Sequence, residues 1–318
     1  VRADVVIPTW RAREMLERCL TALAADPSEH RVIVVDNASG DGTVEMLRER
    51  FPDVVLVELQ ENVGFGRAVN AGVLAVNAGV RAVNGEGGGD AIVLVNNDVI
   101  VEPGFVAAIT EPLRRDPAVG MVAGLTLMPD GGLVDGFGIE LDVTLAAYNR
   151  RRGEPPDGPV GRLAMPSGGA AAYRRSAFEA GGGFDERLFA YGEDVDLGLR
   201  LRAAGWTAAE APAARGIHLG GATAGVDSPL QRRLGGFARG YLLRRYGVLR
   251  TRAAARALLF ELLVVGWGAV RYRTLVPLRA RVAGWRAAAG GERRAIPDEA
   301  VNHEISAWEA FRRLRKRR

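Results

Sequence analysis

The sequence predicts an α/β protein, a mostly parallel sheet covered by helices on both faces, continued by a basic α-helical extension. Three observations carry that expectation. Short apolar runs alternate with stretches of helical periodicity through residue 116. Those runs are apolar at every position rather than at every second one, as in strands buried on both faces. Charge is also divided along the chain. Residues 229–318 hold 21 Arg and Lys against 6 Asp and Glu, a net of +15, which leaves 21 basic and 32 acidic residues, a net of −11, in 1–228. With 318 residues and 48% hydrophobic content the chain can bury a large core. We expect an α/β domain over 1–228 and a basic helical region over 229–318.

The elements follow in order. "DVVIPT" (4–9) reads as a short buried strand ended by Pro8. "REMLERCLTALAA" (13–25) has helical spacing at Met15, Cys19 (or Leu20) and Leu23. "HRVIVVD" is a second strand that runs into the polar turn "NASGDGT", whose Thr43 is a candidate cap for "VEMLRERF". "DVVLVEL" is a third strand, "RAVNAGVLAVNAGVRAV" a helix, "GEGGGD" a flexible loop, "AIVLVNND" a fourth strand and "GFVAAITEPLRRD" a helix. From about 120 to 165 the pattern loosens into short strands and turns, and "RRRGEPPDGPVGR" (150–162) reads as a mobile surface loop. In "FAYGEDVDLGLR" (189–200) three acids stand in four positions. Acids suit a helix start, Asp196 and Arg200 are spaced to pair, and Gly205 is a candidate C-cap.

Composition excludes some classes. Cys19 is the only cysteine, so no internal disulfide forms, which fits a reducing compartment. No leader is expected, since Arg2 and Asp4 open directly into the first strand. Lys316 is the only lysine, a matter of codon usage rather than chemistry. The basic extension carries no recognised DNA- or RNA-binding motif, so nucleic acid is not an expected partner.

Ligands of parallel sheets bind outside the carboxyl ends of the strands. Here those ends read Pro8-Thr9, Asp36-Asn37 and Asn96-Asn97-Asp98. Asp98 can hold a divalent cation against phosphate oxygens, and Asp36 can accept from a nucleobase N–H. Each is also good turn chemistry taken singly. "ENVGFGRAVNAGV" (61–73) places Gly64, Gly66, Ala68 and Gly72 at a helix start, where backbone can approach a phosphate. It lacks the Gly-Lys-Ser/Thr end of a P-loop, and no G-x-G-x-x-G follows the first strand.

Together "VVIPTW", "VVDNASGDGT", "ENVGFGRAVNAG", "LVNND", "GGFDERLFAYGEDVDLGLR" and "HLGG" resemble, in order over residues 4–221, the inverting family-2 glycosyltransferases of GT-A fold. The "VDGFGIELD" stretch and the long basic tail are similar to the rhamnosyltransferase-like group of bacterial cell-wall and O-antigen assembly. The resemblance implies Asp194 as catalytic base and Glu193 as an acceptor-binding residue. It implies Asp36 and Thr9 in the nucleobase pocket, with Asn62, Gly66, Asn70 and Asn97 along the donor. Asp98 and His218 would hold Mg²⁺ or Mn²⁺ on the diphosphate, a lone structural histidine being the lesser reading of His218. Two positions depart from the pattern: Arg11 stands where relatives often carry Asn, and the metal motif Asn96-Asn97-Asp98 has a single acid.

The implied partners are a nucleotide-sugar donor, first dTDP-L-rhamnose and next UDP-galactofuranose or another UDP-hexose, and a polyprenyl-linked or other glycan acceptor. A nucleotidyltransferase and a non-catalytic membrane scaffold are the alternatives from other classes. An Asp near its ordinary pKa of about 3.9 would serve as base without any shift. In the tail, "ALLFELLVVGWGAV" (257–270) is too short to span a bilayer and contains Glu261. Flanked by Arg, Tyr and Trp, it suits a helix lying on an anionic membrane surface, peripheral at the cytoplasmic face. A helical subdomain packed on the sheet or on a second chain is the other reading, and the oligomeric state stays open.

Overall fold

The computed structural model describes residues 2–83, 88–158, 162–220 and 228–316. Part of "GEGGGD", part of the 150–162 segment and Gly221 of "HLGG" lie outside them. The first half alternates as the sequence indicates: β1 (Ala3–Thr9), α1 (Arg13–Ala24), β2 (His30–Asp36), α2 (Thr43–Arg50), β3 (Val55–Glu58), α3 (Phe65–Val83), β4 (Ala91–Val95), β5 (Val99–Val101) and α4 (Phe105–Arg115). Then come β6 (Val119–Leu127), β7 (Val134–Gly136), β8 (Ile139–Asp142), β9 (Ala147–Asn149), β10 (Ala170–Arg174), α5 (Arg175–Ala180), α6 (Glu193–Ala203) and β11 (Thr207–His218). The basic region gives α7 (Pro229–Arg245), α8 (Ala254–Tyr272), α9 (Val276–Ala287), β12 (Val301–Asn302) and α10 (Ala307–Lys316).

The large sheet runs β3-β2-β1-β4-β10-β6-β11-β5, with β7 on β6, and a small sheet runs β12-β8-β9. The block β3-β2-β1-β4 is parallel throughout, and β10 enters antiparallel between β4 and β6. Successive residues of a strand face opposite sides. Val5 and Ile7 therefore pack with Leu16, Leu20 and Leu23 of α1, Met46 and Leu47 of α2 and Phe105 of α4. Val6 packs with Val69 and Val73 of α3 and with Leu197 of α6 on the other face. Each such fully buried aliphatic contributes roughly 2 kcal/mol. The register aligns Thr9 with Asp36 and brings both polar ends to one edge of the sheet.

Two local expectations change. Gly42, left-handed at φ 83°, is the N-cap of α2, and Thr43 is its first residue. Asp41 does the capping: it accepts from Thr43 N (3.2 Å) and from the Thr43 hydroxyl (2.5 Å). The 150–162 segment is also anchored where it begins. Arg150 is buried, donating to Phe137 O (2.9 Å) and pairing with Glu210 (2.6 Å).

The basic region shares the core of the sheet. Tyr241, Leu242 and Tyr246 of the α7 segment and Ala300 and Val301 belong to the same buried cluster as Val6 and Leu94. Ser228 caps α7 by accepting from Gln231 N (3.0 Å), and Pro229 occupies the first turn. α7 and α9 cross at Gly240 and Gly284, where a Cβ would lie 2.0 Å from Arg281 O and 1.9 Å from Phe237 O. Glu261, the acid inside the apolar run, points inward to Arg239 (2.6 Å) and Arg281 (2.5 Å). The outer face of α8 and α9 stays apolar and exposed at Leu259, Leu262 (71%), Trp267, Val270 (79%), Leu275 and Val282. Among the described residues no helix is long and apolar enough to cross a membrane.

Candidate active site

Three parallel strands deliver polar residues to one place because each ends where its apolar run ends. Asn97 Nδ2 donates to Thr9 Oγ1 (2.9 Å), a bond that clamps the ends of β1 and β4 together. Asp36 is buried; its Oδ2 accepts from Ser39 N (3.2 Å), while its Oδ1 has no hydrogen-bond partner. Buried polar atoms are rarely left orphaned, so an unpartnered carboxylate oxygen at a strand end fits a donor group supplied by a ligand. Arg11, left-handed at φ 51°, bonds Ser39 Oγ through its N–H (3.1 Å) and lays its guanidinium 5.0 Å over the Trp10 ring.

Asn62, Gly66 and Asn70 do different work. Asn62 Oδ1 accepts from Gly64 N (3.0 Å) and turns the loop. A Cβ at Gly66 would stand 2.9 Å from the Phe184 Cβ, so the glycine admits that ring. Asn70 brackets Phe184 with both amide atoms, donating to its O (2.9 Å) and accepting from its N (3.0 Å). The loop is pinned to the acidic stretch by Phe65 N donating to Phe189 O (2.7 Å). Asn37, marked by the sequence only as part of a strand end, ties it to β2 by accepting from Val63 N (2.9 Å) and donating to Gly64 O (3.2 Å).

Asp98 and His218 come together. His218 at the end of β11 lies opposite Val99 in register, and Leu219 N donates to Asp98 O (2.9 Å). His218 Nε2 stands 3.3 Å from Asp98 Oδ1, a buried oxygen without a hydrogen-bond partner. The other ring nitrogen, Nδ1, is 2.7 Å from Asp135 Oδ2. Burial disfavours the imidazolium, yet the Asp135 and Asp98 carboxylates outweigh it and raise the His218 pKa to about 10. A carboxylate oxygen held only by this ion pair, facing an imidazole nitrogen, fits a divalent cation, which would displace the ring proton. Among the described residues no group of three or more His, Cys, Asp or Glu is placed to hold a metal ion. A cation here needs ligands from elsewhere, as Mg²⁺ commonly takes them from substrate phosphates.

Asp194 stands in the first turn of α6, beyond Tyr191 (φ 68°) and Gly192 (φ 82°), both left-handed. Its carboxylate accepts from Val195 N (2.8 Å), and the nearby Gly168 N–H also favours its charged form. Gly169 O accepts from Asn96 N (3.1 Å), so Asp194 sits at the same sheet end as Asp98. Burial pushes the Asp194 pKa up against those two N–H groups, which overturns the expectation of an ordinary Asp. Glu193 is buried with Oε2 unpartnered, and burial followed by the Asp194 charge pushes it up as well. Asp196 is 0% exposed, and both its oxygens are taken by other partners. It accepts from Arg200 Nε (2.9 Å), as the spacing indicates, and from the Tyr246 hydroxyl (2.8 Å), and it pairs with Arg294.

The chain matches the family described as Glycosyltransferase like family 2 over residues 2–233. It is 35% identical over 232 residues to the N-acetylglucosaminyl-diphospho-decaprenol L-rhamnosyltransferase of Mycobacterium tuberculosis, in strains CDC 1551 / Oshkosh and ATCC 25618 / H37Rv, covering 67% of this chain and 75% of that protein. It is 28% identical over 246 residues to the O-antigen biosynthesis protein RfbC of Myxococcus xanthus, covering 71% of this chain and 18% of that one. Two solved structures share the GT-A fold at low identity. The mannosyltransferase PcManGT of Pyrobaculum calidifontis, in complex with GDP-Man and Mn²⁺, has a TM-score of 0.52 at 21% identity over 91% of this chain and 87% of that one. GalNAc-T7 with UDP, GalNAc and Mn²⁺ has a TM-score of 0.56 at 12% identity over 86% of this chain and 58% of that one. The nucleotidyltransferase and scaffold alternatives find no counterpart among these relatives. The chain belongs to glycosyltransferase family 2 and is a glycosyltransferase of GT-A fold.

Proposed function

We propose that this enzyme inverts the anomeric centre as it moves L-rhamnose from dTDP-L-rhamnose to a hydroxyl of a polyprenyl-linked glycan. The observation that supports the reading is the shared sheet end: Asp194 lies beside the Gly168 N–H, Gly169 bonds Asn96 at the end of β4, and Asp98 with His218 follows directly. Inversion needs one base opposite the leaving group. Asp194 takes the proton of the acceptor hydroxyl as that oxygen bonds the anomeric carbon, and the C–O bond to the diphosphate breaks with its electron pair on the leaving oxygen. Burial raises the basicity of Asp194, which favours proton transfer near neutral pH. Asp98 and His218 would hold Mg²⁺ or Mn²⁺, which supplies positive charge to the leaving diphosphate. Asp36 offers its unpartnered Oδ1 to the nucleobase, with Thr9 and Asn97 forming the adjoining wall. Asn62, Gly66 and Asn70 shape the donor side by fixing the 62–66 loop against Phe184. Glu193, buried beside the base with an unpartnered oxygen, takes an acceptor hydroxyl.

The rhamnosyl donor rests on the decaprenol-linked relative at 35% identity. The location we propose is peripheral, on anionic lipid at the cytoplasmic face. The exposed apolar row on α8 and α9 and the net charge of +15 over 229–318 support it. The test is a donor panel, dTDP-L-rhamnose, UDP-galactofuranose, UDP-glucose and GDP-mannose, offered with a polyprenyl-diphosphate-linked sugar. Transfer from dTDP-L-rhamnose alone supports the reading, and preferential transfer from a UDP-sugar replaces it.

A further inference from the structure

We propose that Asp135 is a positioning residue, which turns the His218 ring so that Nε2 faces Asp98 and completes the cation corner. The inference rests on the metal reading above and adds a residue to it. An imidazole can present either nitrogen, and the partner of one decides the role of the other. Here Nδ1 lies 2.7 Å from Asp135 Oδ2, so Nδ1 carries a proton and Nε2, 3.3 Å from Asp98 Oδ1, is the nitrogen left for a cation. A carboxylate behind a ligating histidine fixes its tautomer and strengthens it as a donor.

Asp135 is itself held from both sides. It sits in β7, whose Gly136 O accepts from Thr126 Oγ1 (3.0 Å) on β6. The 151–154 turn bonds β7 in both directions: Gly153 N donates to Val134 O (2.8 Å) and Val134 N donates to Glu154 O (2.9 Å). That turn carries Arg152, which pairs with the Asp135 Oδ1. A strap, an arginine, a carboxylate and an imidazole thus stand in line behind Asp98. The side chain of Asp135 is 14% exposed and that of His218 25%, so neither ring nor carboxylate has much room to find another partner.

The experiment uses the full-length chain and its Asp135→Ala, Asp135→Asn, His218→Ala and Asp135→Ala/His218→Ala variants. Mn²⁺ binding in the presence of dTDP is followed by water-proton relaxation enhancement, and dTDP binding in EDTA by calorimetry. Loss of an outer partner of a ligand typically weakens metal binding by about 10- to 100-fold. Each Asp135 variant should show that loss for Mn²⁺, with dTDP affinity in EDTA unchanged. The double variant should bind Mn²⁺ no more weakly than His218→Ala, because Asp135 acts through the ring. Unchanged Mn²⁺ binding in the Asp135 variants, or a double variant that adds the two losses, overturns the inference and leaves the metal reading standing. Failure of the wild-type chain to bind Mn²⁺ with dTDP or UDP overturns both. A second measurement needs no substitution at Asp135: the ¹⁵N spectrum of the histidine rings in the Mg²⁺–dTDP complex should show His218 protonated at Nδ1, and a proton on Nε2 contradicts the assignment.

Discussion

The Tyr246 hydroxyl donates to Asp196 Oδ1 over 2.8 Å, and so joins the basic region to the helix that carries Asp194. Arg294 reaches the same carboxylate from beyond α9, and Tyr241 bonds Asp185 Oδ2 (2.6 Å) nearby. Asp196 is wholly buried, so these partners are what make its charge tolerable. Tyr246→Phe should cost about 1.5–3 kcal/mol of stability, the range for a hydrogen bond to a charged group. Urea unfolding measures it, and an unchanged midpoint contradicts the tie. Removal of everything after residue 228 strips Tyr241, Tyr246 and Arg294 at once. That truncated chain should aggregate or unfold, visible as lost cooperative melting.

Asp98→Ala should abolish the metal-dependent part of nucleotide binding and spare the fold, because this strand-end acid contributes little apolar burial. Excess EDTA should likewise silence the wild-type enzyme. Full transfer in EDTA would rule out a cation on the diphosphate.

His218 has a folded pKa of about 10, above its ordinary value of about 6.5. The contribution of its imidazolium to stability is therefore fully present below about pH 6.5 and is lost as pH rises through about 10. In EDTA the wild type should out-melt His218→Gln at pH 6, and the gap should close toward pH 10. A gap that does not change with pH contradicts the Asp98–His218–Asp135 arrangement.

Leu262→Asp with Val270→Asp should reduce flotation of the full chain with anionic vesicles while leaving its melting temperature near that of the wild type, since both side chains are exposed. Salt should weaken wild-type binding without removing it, because apolar insertion is not screened. Failure of the wild type to float at low salt assigns the apolar row to contact with another protein chain.

Much of this was legible from residues alone, and the gaps have physical causes. Asp36, Asp98 and Asp194 announce themselves because each acid follows an apolar strand or opens a helix. The strands "AAAYR" (β10) and "TAAEAPAARGIH" (β11) do not, since alanine has little strand preference. Pairing in the sheet makes them strands, β10 between β4 and β6 and β11 beside β6, and the β10–β6 contact is tight enough that a Cβ on Gly124 would stand 3.2 Å from the Ala170 Cβ. Asp135 lies 83 residues from His218, and no local pattern links them. Tyr246 and Arg294 were hidden for the same reason, 50 and 98 residues from Asp196. The basic extension advertises its charge, while its inward tyrosines decide how it packs.

The most direct measurement is steady-state transfer by Asp194→Asn, beside its donor affinity. The substitution keeps shape and removes the base. The account predicts transfer slowed by roughly 10²-fold or more, the scale of positioned general-base catalysis, with donor binding unchanged. Transfer at the wild-type rate would contradict it and move the search for the base to Glu193.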